Sequence, residues 1–259
     1  MLDPISIERL DDGTCWRVVF SGPPGTRGNV LDQTLMTSLG QVFRDAAREP
    51  RLKAICLEGA GPDFSFGASV PEHLPDEVAG MLTRFDDMLH ALLDSAVVVV
   101  AAVRGQCLGG GLELVMLCHR VFASADAKLG QPEIKLGVFA PIASVVLPGR
   151  IGRGHAEDLC LTGRTVGAAE AKDMGLVDEV APGDPADAAL AWVRAHLAAH
   201  SASSLRFAVR AARQGLRATL ARDLPAVEEM YLGELIRTAD ATEGIRAFLG
   251  KRTPVWKDA

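Results

Sequence analysis

Apolar positions along the chain fall into three patterns: alternation, helical spacing and unbroken runs. "ISIERL" and "CWRVVF" flank "DDGT", which predicts a β-hairpin closed by a glycine-containing turn. After the loop "SGPPGTRGNV", Leu35, Leu39, Val42 and Ala46 lie on one face of an amphipathic helix predicted over 31–47. The run "LKAICLEG" predicts a buried strand ending in the loop "AGPDFSFGAS", and a helix over 78–93 follows. "VVVVAAV" is a second, β-branched buried strand. Behind it, "GQCLGGGLEL" sets three glycines before a short apolar helix over 112–118, and "HRVFAS" and "AKLGQPEI" read as short strands. From Ile142 the signals are mostly helical, including 168–174 and 186–200, with three or four more helices and a short tail after Ser201. Strands early and helices late predict an α/β core over 1–200 and a helical C-terminal region over 201–259. A strand, glycine loop and helix recur near residues 20, 58 and 103, without close sequence similarity.

Composition narrows the function classes. A chain of 259 residues with 48% hydrophobic residues buries a full core. The net charge of -6, from 33 acidic and 27 basic residues, gives no general attraction to nucleic acid or anionic membrane. Five scattered cysteines without CxxC spacing support neither a disulfide framework nor a zinc site, and fit a reducing cytoplasm. The stretch "MLDPISIERLDDG" lacks the basic and apolar regions of a signal peptide, and no apolar run approaches the roughly 18 residues of a membrane span. A soluble cytoplasmic protein is expected.

The glycine stretch poses the chemical question. Gly109, Gly110 and Gly111 precede a helix that carries a lone carboxylate, Glu113. A tight strand-to-helix turn, with Glu113 as a first-turn acid favoured by the helix dipole, is one reading. Dinucleotide binding is another, but GxGxxG is out of register and no Lys-Ser/Thr follows for a P-loop. A third is an oxyanion hole, since amides at a helix N-terminus are unpaired donors. A second amide would come from "DFSFGAS", where Gly67 bends the chain so that the Ala68 N–H faces a pocket. Glu113 and Glu133 sit in apolar surroundings, "GGLELVML" and "LGQPEIKLG", where desolvation raises a carboxyl pKa towards the range of an acid–base catalyst. A solvated loop acid is the competing reading of Glu133.

"AAVRGQCLGGGLEL", "LGQPEIKLGV", "FSFGAS", "LTGRTVGAAEAKDMGLVDEV" and "EGIRAFLGKRTPVW" together resemble the enoyl-CoA hydratase/isomerase (crotonase) family over nearly the whole chain. The resemblance implies a crotonase-like spiral of ββα units with a C-terminal helical trimerisation region. It implies an acyl-CoA thioester ligand with coenzyme A as part of the substrate, no metal or other cofactor, and a homotrimer or dimer of trimers. It puts the oxyanion-hole amides on Ala68 and Gly110 and the hydratase glutamates on Glu113 and Glu133, 20 positions apart. Both glutamates together favour a hydratase, a carbon–oxygen lyase, over an isomerase.

Two departures change the expected substrate. Ser69 stands where the family has aspartate, although serine also caps turns. "APIAS" replaces the family's "PGAGG", so Pro141 stands where a glycine amide helps hold the reacting water, and proline has no N–H. "FSFGASVPEHLP" and "LGVFAPIAS" look like a subgroup acting on conjugated cyclic dienoyl-CoA thioesters in aromatic compound degradation, with the straight-chain hydratase and isomerase as alternatives. Phe66, His73, Phe139 and Pro141 are then candidate acyl-pocket residues. Lys251 and Arg252 resemble positions that reach CoA phosphates, and Arg27 is another candidate. His196 and His200 lack a third ligand for a metal site. Arg206, Arg210, Arg213 and Arg217 read as a solvated basic face.

Overall fold

The computed structural model describes residues 4–26 and 28–259. The hairpin forms β1 (Ile5–Leu10) and β2 (Cys15–Phe20), turned by Asp11, Asp12 and Gly13 at φ of 52°, 56° and 80°. Short polar side chains and glycine are the residues that tolerate this region. Three times the chain then runs strand, loop, short strand, helix. β2 leads to β3 (Val30–Leu31) and α1 (Gln33–Arg48), and β4 (Ala54–Gly59) to β5 (Gly67–Ala68) and α2 (Val78–Ser95). β6 (Val98–Val103) leads to β7 (Gln106–Leu108) and α3 (Gly110–Met116). β8 (Arg120–Ala123) and β9 (Lys128–Gly130) precede α4 (Pro141–Ile151), α5 (Arg153–Thr162), β10 (Thr165–Gly167) and α6 (Ala168–Met174). β11 (Glu179–Val180), α7 (Pro185–His196), α8 (Ala202–Ala212), α9 (Gln214–Glu229) and α10 (Ala239–Leu249) complete the chain.

The main sheet has the order β1-β2-β4-β6-β8-β11, with β1 antiparallel to β2 and every other pair parallel. β4 and β6 are buried along their whole length, which is why they read as unbroken apolar runs. One face of the sheet joins the large core with α1 and α2. The other carries Cys56, Val100 and Phe122 against Ala189, Leu190 and Val193 of α7. A second sheet has the order β10-β9-β7, and β3 pairs with β5. Leu220, Leu224, Tyr231 and Ile245 from the region after residue 200 join the large core cluster.

Several expectations are corrected. The first helix starts at Gln33, because the Asp32 side chain accepts the Leu35 N–H at 2.9 Å and caps it. The strand expected through "AKLGQPEI" ends at Gly130, and Pro132 opens a 3-10 turn, Pro132–Leu136, that carries Glu133. α3 starts at Gly110 and ends at Met116, and α7 ends at His196. Ser69 makes no side-chain cap to its 3-10 turn; its carbonyl accepts from Glu72 N and pairs with His73 Nδ1. Only half of the arginine stripe is a solvated face: Arg210 and Arg217 are exposed, whereas Arg206 and Arg213 are half-buried. Arg206 donates to the carbonyls of Ala46, Glu49 and Ser95 (3.0, 2.6 and 2.9 Å), at the C-terminal ends of α1 and α2. Arg213 donates to Leu117 O at 2.6 Å, and Arg217 pairs with Asp94 at 2.6 Å. Cationic donors at helix C-termini satisfy carbonyls that have no intrahelical partner.

Candidate active site

The site forms where β5 meets the start of α3. Gly67 has φ 91° and Gly109 φ 52°, so both take backbone conformations that a side chain would strain. Space is as restrictive as φ. A Cβ on Gly67 would stand 2.9 Å from Leu108 O and 3.3 Å from Gly110 N, and one on Gly110 would stand 3.2 Å from Ala68 N. The Ala68 and Gly110 amides are therefore neighbours. Phe66 N and Ser69 N donate to the carbonyls of Asn29 and Leu31 (3.2 and 3.1 Å), anchoring the strand on either side of Ala68. Gly110 is the first residue of α3, so its N–H has no intrahelical acceptor and sits at the positive end of the helix dipole.

Two carboxyl groups face this pair of amides. Glu113, one turn into α3, is 5% exposed. Its Oε1 accepts the Ala143 N–H at 2.8 Å, and the Ile142 amide donates to it as well. Burial pushes its pKa up to about 7 against the opposing pull of those two amides. The Glu133 carboxyl packs on Gly109, where any added Cβ would overlap Oε1. Burial first, and then the charge of Glu113, push its pKa up to about 8. With its amide nitrogen turned towards Glu133, the buried Gln131 donates to both carboxyl oxygens, at 3.2 and 3.0 Å. Two raised, mutually repelling carboxyls in one apolar pocket titrate as a pair and can hold and pass a proton near neutrality.

One pocket brings together Phe66, Ala68, His73, Gly110, Glu113, Glu133, Phe139 and Pro141, the expected glutamates, amides and acyl-pocket residues. His73 Nδ1 lies 2.9 Å from Ser69 O, so that nitrogen carries the hydrogen and Nε2 is left as an acceptor. Burial lowers its pKa, which keeps the ring neutral. Pro141 opens α4 at the pocket wall. Sequence reasoning missed Gln131, Phe85, Tyr231 and the amides of Ile142 and Ala143. The one available signal was that Tyr231 is the single tyrosine of the chain. It also missed a carboxyl pair behind the pocket. Asp86, next to Phe85, meets Glu228, and its pKa is pushed up to about 9 by burial, then by Glu228, and also by Glu113.

A larger cleft shares Phe66, Ala68, Val70, Pro132 and Leu136 with the pocket and continues outward past Lys135, Phe248 and Arg252. Arg252 lines this cleft, with its guanidinium held by the two carboxylate oxygens of Glu243 at 2.5 and 2.7 Å. Lys251 is exposed at φ 52° and does not line this cleft, whereas Lys135, which sequence reasoning did not single out, does. Arg27 lies outside the described residues. His196 stacks on Trp192 with ring centroids 5.1 Å apart. Among the described residues no cluster of three or more His, Cys, Asp or Glu could hold a metal ion.

Comparison with known proteins places this geometry. Residues 23–259 match the family described as enoyl-CoA hydratase/isomerase. The chain is 45% identical over 255 residues to the cyclohexa-1,5-dienecarbonyl-CoA hydratase of Thauera aromatica, covering 98% of this chain and 97% of that one. It is 35% identical over 228 residues to a probable enoyl-CoA hydratase of Mycobacterium tuberculosis, covering 87% and 88%. The crystal structure of an enoyl-CoA hydratase from Mycobacterium avium subsp. paratuberculosis superposes with a TM-score of 0.84 at 25% identity, covering 98% of this chain and 99% of that one. With two glycine-bounded amides and two glutamates on one pocket, and with these matches spanning its length, the chain belongs to the enoyl-CoA hydratase/isomerase family.

Proposed function

We propose that this enzyme adds water to a conjugated cyclic dienoyl-CoA, with cyclohexa-1,5-diene-1-carbonyl-CoA as the substrate that fits best. The carrying observation is that Glu113, Glu133 and the Ala68 and Gly110 amides line one pocket. The thioester oxygen accepts hydrogen bonds from the two amides, where negative charge develops as water attacks. One carboxylate takes a proton from water as its oxygen bonds to the β-carbon, and the electron pair passes into a dienolate held by the amides. The other carboxyl gives a proton to the remote carbon of that dienolate, which completes the addition of H and OH. Identity of 45% with the Thauera aromatica hydratase supports the cyclic substrate, as does Pro141, which removes a backbone donor from the pocket wall.

Coenzyme A enters as part of the substrate, with its phosphates towards Lys135 and Arg252 in the outer cleft; no metal or redox cofactor takes part. The assembly is a homotrimer or dimer of trimers. The test offers the purified protein cyclic dienoyl-CoA and straight-chain crotonyl-CoA and follows the mass gain of one water. Preferred hydration of the cyclic thioester is expected. Faster hydration of crotonyl-CoA would move the straight-chain reading ahead, and double-bond migration without mass change would move the isomerase ahead.

A further inference from the structure

Tyr231, the single tyrosine of the chain, is 1% exposed, yet its hydroxyl has no hydrogen-bond partner. A buried phenol left unpaired costs about 1–3 kcal/mol, so an unpaired one in a pocket wall points to a partner that arrives with the ligand. Local structure explains how it gets there. α9 ends at Glu229 and the chain continues as a π turn, Met230–Glu234, which shifts the following side chains off the α-helical path. Tyr231 thereby enters the pocket wall, edge-on to Phe139 with ring centroids 5.2 Å apart. Burial, and then the charges of Glu133 and Glu113, raise its pKa, so the phenol stays protonated and both glutamates lie within its electrostatic reach.

Water attacking a β-carbon acquires hydroxide character, and one glutamate meets it as the proton acceptor. A donor aimed at that oxygen would hold it in line with the carbon. The start of α4 also lines the pocket, but its first residue is Pro141, which has no N–H, and the amides of Ile142 and Ala143 already serve Glu113. Beside the Ala68 and Gly110 amides that face the thioester oxygen, the Tyr231 hydroxyl is a pocket donor with no partner.

We infer that the Tyr231 hydroxyl is a catalytic hydrogen-bond donor to the oxygen of the reacting water, supplying the donor that the backbone lacks at Pro141. It rests on the hydratase reading of the site. The phenol keeps its proton throughout; the proton lost by water goes to a glutamate, and the hydrogen bond orients the oxygen and follows it into the product hydroxyl.

Tyr231→Phe keeps the ring and its contact with Phe139. The expected result is a loss on the order of 10²-fold in kcat, with KM little changed. Pro141→Gly restores an N–H, so in the Tyr231→Phe background it should recover part of the lost kcat. A merely structural tyrosine would lower thermal stability and show no such rescue. Because the chain has one tyrosine, a sample with 13C at the ring ζ-carbon gives a single resonance. It should shift on binding a 3-hydroxyacyl-CoA and not on binding the matching saturated acyl-CoA. This readout needs no turnover, so it decides the role of Tyr231 even if neither enoyl-CoA is hydrated and the hydratase reading falls. Wild-type kcat in Tyr231→Phe, or a resonance blind to the ligand hydroxyl, would overturn the inference.

Discussion

At the scale of single residues, the two glutamates link chemistry to stability. Both have folded pKa values above the ordinary 4.5, near 7 and 8, so between pH 4.5 and those values the folded chain binds more protons than the unfolded one. Their contribution to stability is fully present below pH 4.5 and is lost as pH rises through the folded values. Gln does not titrate. Glu133→Gln should therefore melt above the wild type at pH 8.5, with the gap closing towards pH 5, as read by thermal denaturation; a gap that widens on acidification contradicts the raised pKa. Gly109→Ala drives a methyl into Glu133 Oε1. A displaced proton-transfer group should cost about 10²-fold in kcat, with thioester binding retained, and normal turnover would remove Glu133 from the mechanism. Apolar neighbours singled out Glu113 and Glu133 in the sequence, but they left Glu133 open to a loop-acid reading that only the family resemblance weighed against. Gln131 and Tyr231 were not legible, since their meaning depends on which distant groups they meet.

At the scale of elements, the short pieces carry the site and are the least legible. β5 is two residues long, too short for any periodicity, and what places Ala68 is the left-handed Gly67 and the pairing with β3. α4 begins at Pro141, two positions before the amide that holds Glu113, so one helix start both orients a carboxylate and withholds a donor. Glu133 was expected on a strand; Pro132, which lacks the ladder N–H, turns the chain instead and aims the carboxyl at Gly109. Long elements behaved as their patterns predict, with their ends adjusted by caps. Asp32→Ala removes the α1 cap and should cost about 1 kcal/mol, a fall in Tm of roughly 2–4 °C, with kcat unchanged. An unaltered Tm would show that tertiary packing alone holds that end.

At the scale of the whole molecule, the strand order could not be read from periodicity, because parallel pairing joins segments 40 or so residues apart through crossovers that leave no local mark. The family resemblance supplied the spiral instead. Arg206 shows the same limit: helical spacing made it look like surface, whereas it joins α8 to the ends of α1 and α2. Phe207, Phe248, Val255 and Trp256 are exposed on the C-terminal region, at 67%, 55%, 70% and 43%. A trimer is proposed for the chain, and these exposed apolar side chains are candidates for its contacts. Sedimentation should give a trimer or hexamer at micromolar concentration; a stable monomer would contradict it.

The most direct test of the proposed chemistry measures hydration of cyclohexa-1,5-diene-1-carbonyl-CoA by the wild type, Glu113→Gln, Glu133→Gln and the double variant, with thioester binding followed alongside. Gln keeps the shape and removes the proton transfer. Each single variant should lose on the order of 10²-fold or more in kcat while binding changes little, because the Ala68 and Gly110 amides remain. The double variant should lose less than the product of the two single losses, as expected for groups that act together. Near-normal water addition by Glu113→Gln would contradict the account; loss of turnover in Glu133→Gln alone would leave one working carboxyl and favour an isomerase.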